Sequence, residues 1–198
     1  MSGPISFGYQ NLGFGAGGAD PGKLILIQTQ TPSGVTTVDF TSIQEDVYKV
    51  HFVTWSLETN NDNIVPSVRL HESGTLETAS VYKEAFHEVL SDGSNENTGA
   101  QTDYKSTSND EIRVGENIGN ASLEFGTGYF YIWNAGNSTY HTSISSQSTT
   151  LAPSNEVYIH VGGGVLPQAS TVDGFRIYPQ NDASAELTGT VSLYGVKQ

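Results

Sequence analysis

The sequence predicts an all-β fold, an antiparallel β-sandwich of jelly-roll type behind a flexible glycine-rich N-terminal arm. Three observations carry this. Short segments rich in Val, Ile, Thr, Tyr and Phe recur along the chain, divided by clusters of Gly, Pro, Asn, Asp and Ser. No helical crossover intervenes between them, so the strands need no parallel connections. The 22 glycines, 10 tyrosines and 8 phenylalanines suit turns and aromatic-bearing strands rather than disorder. A chain of 198 residues fits one sandwich. Residues 1–22 form the arm, and residues 23–198 form the domain.

The arm alternates Gly8, Gly13, Gly15, Gly17, Gly18 and Gly22 with Phe7, Tyr9, Leu12 and Phe14. Such a segment has no core of its own, but its four apolar anchors suit docking on a neighbour. The strand series opens at residues 24–31, where Pro32, Ser33 and Gly34 turn the chain into residues 35–40 as a hairpin. Residues 47–55 read as a long central strand. Further strands are expected at 65–70, 112–114, 121–125, 129–133, 140–144, 157–161, 175–178 and 187–194, about ten in all.

Residues 77–90 are ambiguous by period, because Tyr82, Phe86 and Leu90 fit one face of a helix or of a strand. Ala, Glu and Leu favour helix, whereas the surroundings favour strand, and strand is the reading taken. Residues 91–110 are polar and long for a loop in a compact domain. They are the expected exposed contact segment, with Asp92, Asn95, Asn97 and Tyr104 as its contact residues.

Composition narrows the partners. Eight Lys and Arg stand against 21 Asp and Glu, a net charge of −13 with no basic stretch, which disfavours nucleic acid. No segment has the length of a membrane-spanning helix, and the first residues lack the basic and apolar regions of a cleaved signal. Without cysteine there are no disulfides, thiol nucleophiles or thiolate metal sites. Stability then rests on packing or oligomerisation.

Catalytic motifs are missing from the sequence: it has no Gly-x-Ser-x-Gly elbow, no His-Glu-x-x-His and no phosphate loop. Gly162, Gly163 and Gly164 read as a tight turn or bulge. His51, His71, His87, His141 and His160 lie singly, so no metal is expected from them. Asn60, Asn61, Asp62 and Asn63, and Asp92, Ser94, Asn95 and Glu96, bring oxygen ligands together without the spacing of a calcium loop; turn formation explains them better. Glu84, Glu88, Glu111 and Glu124 are the carboxylates available for glycosidase chemistry, to which nothing else points. Trp55, Trp133, Tyr104, Tyr129, Tyr131 and Tyr140 would serve a sugar platform, yet their alternation within strands is explained more simply by core packing. The reading is therefore non-enzymatic, without cofactor.

Several short motifs in the second half carry a resemblance. They are Glu111-Ile112-Arg113, Gly119-Asn120-Ala121-Ser122, the run from Gly128 through Trp133 to Ala135, Ser138-Thr139-Tyr140, Val172-Asp173-Gly174-Phe175-Arg176-Ile177-Tyr178-Pro179 and the closing Gly189-Thr190-Val191-Ser192-Leu193-Tyr194-Gly195-Val196-Lys197. Together the chain resembles a family of bacteriophage virion proteins common in marine and cyanobacterial phages. The resemblance implies a β-sandwich, usually a homotrimer, located in the virion either on the capsid as decoration or on the tail as a fibre or knob. A capsid decoration or cement protein, contacting the major capsid protein through its arm, is the first expectation. A tail fibre or knob that recognises a host glycan is the alternative, and a free lectin-like module the third.

Overall fold

The computed structural model describes residues 22–91, 101–153 and 156–198, with the side chains of residues 101 and 102 outside the description. Antiparallel strands, numbered along the chain, form two packed sheets, and no α-helix occurs among the described residues. The larger sheet has eight strands in the order β1 (Leu24–Gln30), β13 (Leu187–Val196), β3 (Val50–Thr59), β9 (Gly126–Trp133), β10 (Thr142–Ala152), β11 (Glu156–Leu166), β6 (Tyr82–Ser91) and β7 (Gln101–Asn109). The smaller sheet runs β2 (Val38–Phe40), β12 (Val172–Pro179), β4 (Pro66–Glu72) and β5 (Thr75–Leu76), with β8 (Ile112–Arg113) also paired to β4. This is the expected β-sandwich.

Alternation builds the core. The inward residues of β3, β9 and β13, among them Val53, Leu57, Phe130, Ile132, Val191 and Leu193, meet Phe40, Val68, Leu70, Phe175 and Ile177 of the smaller sheet, all sealed from solvent. Phe175 stacks on Phe40 at 4.7 Å between centroids and meets Phe130 edge-on at 5.6 Å. Each such ring contributes about 1.5–3 kcal/mol by burial. The Trp55 indole fills a slot that exists because three neighbours are glycine. A Cβ at Gly126 or Gly128 would come within 2.9 or 2.6 Å of its ring, and one at Gly115 within 3.0 Å.

Residues 82–91 form a strand as expected, β6, with Tyr82 and Phe86 buried on one face. Tyr82 is held by its hydroxyl, which accepts from the Leu70 amide at 2.9 Å. Other expectations need correction. Residues 24–31 and 35–40 do not form a hairpin: β1 pairs with β13 in one sheet and β2 with β12 in the other. The connection crosses between sheets, anchored where Val35 bridges Leu187 and Gly34 adopts a φ of 64°. Residues 121–125 are not a strand but a tight reversal, in which Leu123 has a φ of 79° and is 84% exposed.

Gly162, Gly163 and Gly164 make neither turn nor bulge. They sit in unbroken register within β11, facing Ser146, Ser145 and Ile144 on one side and Phe86, Ala85 and Glu84 on the other. A Cβ on Gly162 would collide with Phe86, and one on Gly163 with the Ile144 carbonyl. Close approach of backbones, rather than chain reversal, explains these glycines.

Candidate interaction face

The outer face of the larger sheet carries the residues that alternate with the core. On β9 these are Tyr129, Tyr131 and Trp133, opposed on β3 by Thr54 and Phe52; Tyr194 of β13 lies beside Phe52. The rings touch in sequence: Phe52 lies 4.8 Å from Tyr131, 5.7 Å from Tyr129 and 6.2 Å from Tyr194, and Tyr131 lies 5.5 Å from Trp133. Their polar ends are tied down within the sheet. The Tyr129 hydroxyl donates to Gln147 at 2.8 Å, and the Trp133 indole N–H to Ser145 at 3.1 Å. The rings are thereby fixed side by side with their faces half-open.

Apolar groups continue on both sides, through Leu24 and Leu26 on β1 and Ile159 and Val161 on β11. Among the described residues, six of the eleven exposed large hydrophobic side chains (Leu24, Leu26, Tyr129, Trp133, Ile159 and Val161) lie on this face, those of β9 and β11 divided by the hydroxyl and amide side chains of β10. Between β1 and β11 the outward residues that are neither aliphatic nor aromatic are hydroxyl, amide or glycine, and the charge among them is Glu58 at the far end of β3. All five lysines of the chain frame this face. Lys23, Lys49 and Lys197 stand at the end where β1 and β3 start and β13 finishes, and Lys83 and Lys105 point outward from β6 and β7. Among the described residues, Lys49, Lys83, Lys105 and Lys197 enter no ion pair.

The inner side holds a different chemistry. His160 on β11 is fully buried, with Ser146 Oγ 3.1 Å from Nε2, Glu116 Oε1 3.4 Å from Nδ1 and the Phe86 ring 4.8 Å away. The order Ser, His, Glu follows the logic of a nucleophile, base and orienting acid. All three groups are at most 5% exposed, however, and His160 Nδ1 and Glu116 Oε1, though 3.4 Å apart, make no hydrogen bond.

The Glu111 carboxyl is raised to about 7 by burial and by adjacent Asp110; it accepts from the Tyr178 hydroxyl at 3.0 Å. The Arg69 guanidinium, itself paired with Asp110, lies 4.7 Å over the Tyr178 ring. Burial raises Glu84 and Glu88 as well. Glu84 accepts from the Arg113 amide at 2.9 Å and from the Asn109 side chain. The two carboxylates, four residues apart on one strand, are separated by about 13 Å along β6. Glu124 accepts from the Ala121 amide at 2.7 Å and closes the 121–124 turn.

Asn60, Asn61, Asp62 and Asn63 tie loops together. Asn60 accepts from the Glu186 amide, Asn61 donates to Asp182, Asp62 accepts from the Asn120 amide and the Asn63 carbonyl accepts from Asn181. Tyr104 is not in a loop but in β7, half-buried, stacked at 4.9 Å on Phe86 with the Arg113 guanidinium 4.8 Å over its ring. Asp92, Asn95 and Asn97, and the arm residues Phe7, Tyr9, Leu12 and Phe14, lie outside the described residues.

Core packing was the sequence reading for the alternating aromatics, and it holds for Trp55 alone among those on β3 and β9. Tyr129, Tyr131 and Trp133 share a parity opposite to Phe130 and Ile132, and the more apolar pair takes the core. That parity was available in the sequence. Phe52 and Tyr194 were not foreseen, because their join to Tyr131 depends on strand order.

No family model and no curated protein sequence matches the chain. A solved structure of a protein of unknown function from Bacteroides ovatus aligns with 61% of this chain at 10% identity and a TM-score of 0.20. The alignment spans 46% of that protein's length, and no argument is built on it.

Proposed function

We propose that this chain is a bacteriophage virion structural protein, a trimeric decoration protein that binds and stabilises the capsid surface and acts by assembly rather than catalysis. The supporting observation is the apolar, lysine-framed outer face of the larger sheet, set on a stiff sandwich in a chain of net charge −13. An exposed apolar face on a β-sandwich is the physical form of an assembly surface. The motifs shared with phage virion proteins give the setting, and Phe7, Tyr9, Leu12 and Phe14 of the arm are the proposed capsid contacts.

Electron cryo-microscopy of particles from the phage that encodes the chain tests this reading. The expected result is sandwich density at capsid three-fold positions, with residues 1–22 ordered against the capsid. Density at the tail tip, or absence of the chain from the particle, overturns it. A second reading, a tail knob that recognises a host glycan, is favoured by the half-open rings of Tyr129, Tyr131 and Trp133, since such rings also stack on sugars.

A further inference from the structure

We propose that the occupant of the outer face of the larger sheet is a second copy of this chain, seated with its acid-rich side inside the lysine frame. The inference rests on the assembly reading of the face. Three observations select a copy over a sugar. First, the patch is aliphatic as well as aromatic: Leu26 is 56% and Val161 51% exposed, and aliphatic side chains offer a sugar ring no stacking surface. Second, six strands spaced about 4.8 Å apart, with about four outward residues each, give a footprint on the order of 600 Å². That approaches the ~800 Å² per partner of a stable protein interface.

Third, charge decides the mode of contact. Copies of net charge −13 repel wherever acidic surfaces meet, so they approach best through a face poor in carboxylates, and on this one Glu58 lies at the far end of β3 and Asp103 at the β7 edge. With all five lysines on the frame, the three arginines are the cations left to offset the carboxylates that lie away from this face. Face-to-face packing about a two-fold sets lysine frame against lysine frame. Packing the face onto the acid-rich side of the next copy sets lysines against carboxylates, a head-to-side contact.

Sedimentation of the full chain and of its Val161→Asp and Leu26→Asp variants tests this, with circular dichroism to establish that both variants fold. Each substitution places an unpaired carboxylate in the contact and is expected to weaken self-association by at least about tenfold. Acrylamide quenching supplies a second readout. The chain has two tryptophans, and Trp55, 3% exposed, is a built-in shielded reference for Trp133, 40% exposed in the single chain. Trp133 should be shielded in the parent protein and quenched in both variants. A parent protein that stays monomeric at micromolar concentrations, or folded variants that keep its mass, overturns the proposal. So does a monomer whose Trp133 is shielded only by added polysaccharide. A monomeric parent removes the trimer from both readings, whereas folded variants that keep the parent's mass remove this face alone, and the place of the protein in a particle is decided by microscopy.

Discussion

The two faces of β9 share one backbone but differ in nearly every other respect. Inward, Phe130 and Ile132 are sealed against the smaller sheet, while Gly126 and Gly128 are reduced to hydrogen so that the Trp55 indole fits. Outward, Tyr129, Tyr131 and Trp133 are half-open, and Tyr129 and Trp133 are held by their polar ends to β10. Aromatic side chains thus serve stability on one side of a strand and remain free for contact on the other. Parity within the strand, rather than residue type, decides which.

Trp55 and Trp133 offer the sharpest way to break this contrast. Trp55→Ala empties a closed slot and is expected to lower stability by about 3–5 kcal/mol, whereas Trp133→Ala should cost the monomer under about 1 kcal/mol. Urea unfolding of both variants measures the difference, and equal losses would mean that the outer rings belong to the fold. Next in size, Gly162→Ala drives a methyl into Phe86 between closely spaced strands and should cost about 1–3 kcal/mol by the same measurement. Tyr82→Phe leaves the buried Leu70 amide without its acceptor, for an expected loss of about 1–2 kcal/mol.

The smallest effect concerns pH. Glu111 titrates near 7 in the folded chain against an ordinary 4.5, so between these values the folded state holds a proton that the unfolded state has lost. Stability from this group therefore falls as pH rises from about 4.5 through 7. Glu111→Gln should raise the melting temperature at pH 8 and leave it nearly unchanged at pH 4. A variant with the same pH profile as the parent would show that Glu111 is not the group responsible.

The sandwich itself was legible because most strands and turns announce themselves locally; β6 did not, since Tyr82, Phe86 and Leu90 fit one face of a helix or of a strand, and its all-β surroundings decided for strand. Pairing was not. Nothing local tells β1 to join β13 rather than β2, since that choice rests on contacts across most of the chain. Polarity also misled at 101–109, where Lys105, Ser106 and Thr107 resemble a loop but form β7. As the last strand of its sheet, β7 can leave one side to solvent and so needs few apolar residues. The interaction face was half visible in the run of Tyr129, Tyr131 and Trp133. Its other half, Phe52 and Tyr194, became visible only with the sheet order.

The pairing of β1 with β13 also fixes an order of events in time. β1 hydrogen-bonds to β13, and β13 in turn is the link between β1 and β3. Until residues 187–196 have left the ribosome, β1 has no partner and β3 has one open edge, so the larger sheet closes only after translation has passed its last strand. Contacts this distant in sequence make for slow folding. A nascent chain stalled before residue 187 would hold β1 unpaired and one edge of β3 open, available to a chaperone or to another nascent copy.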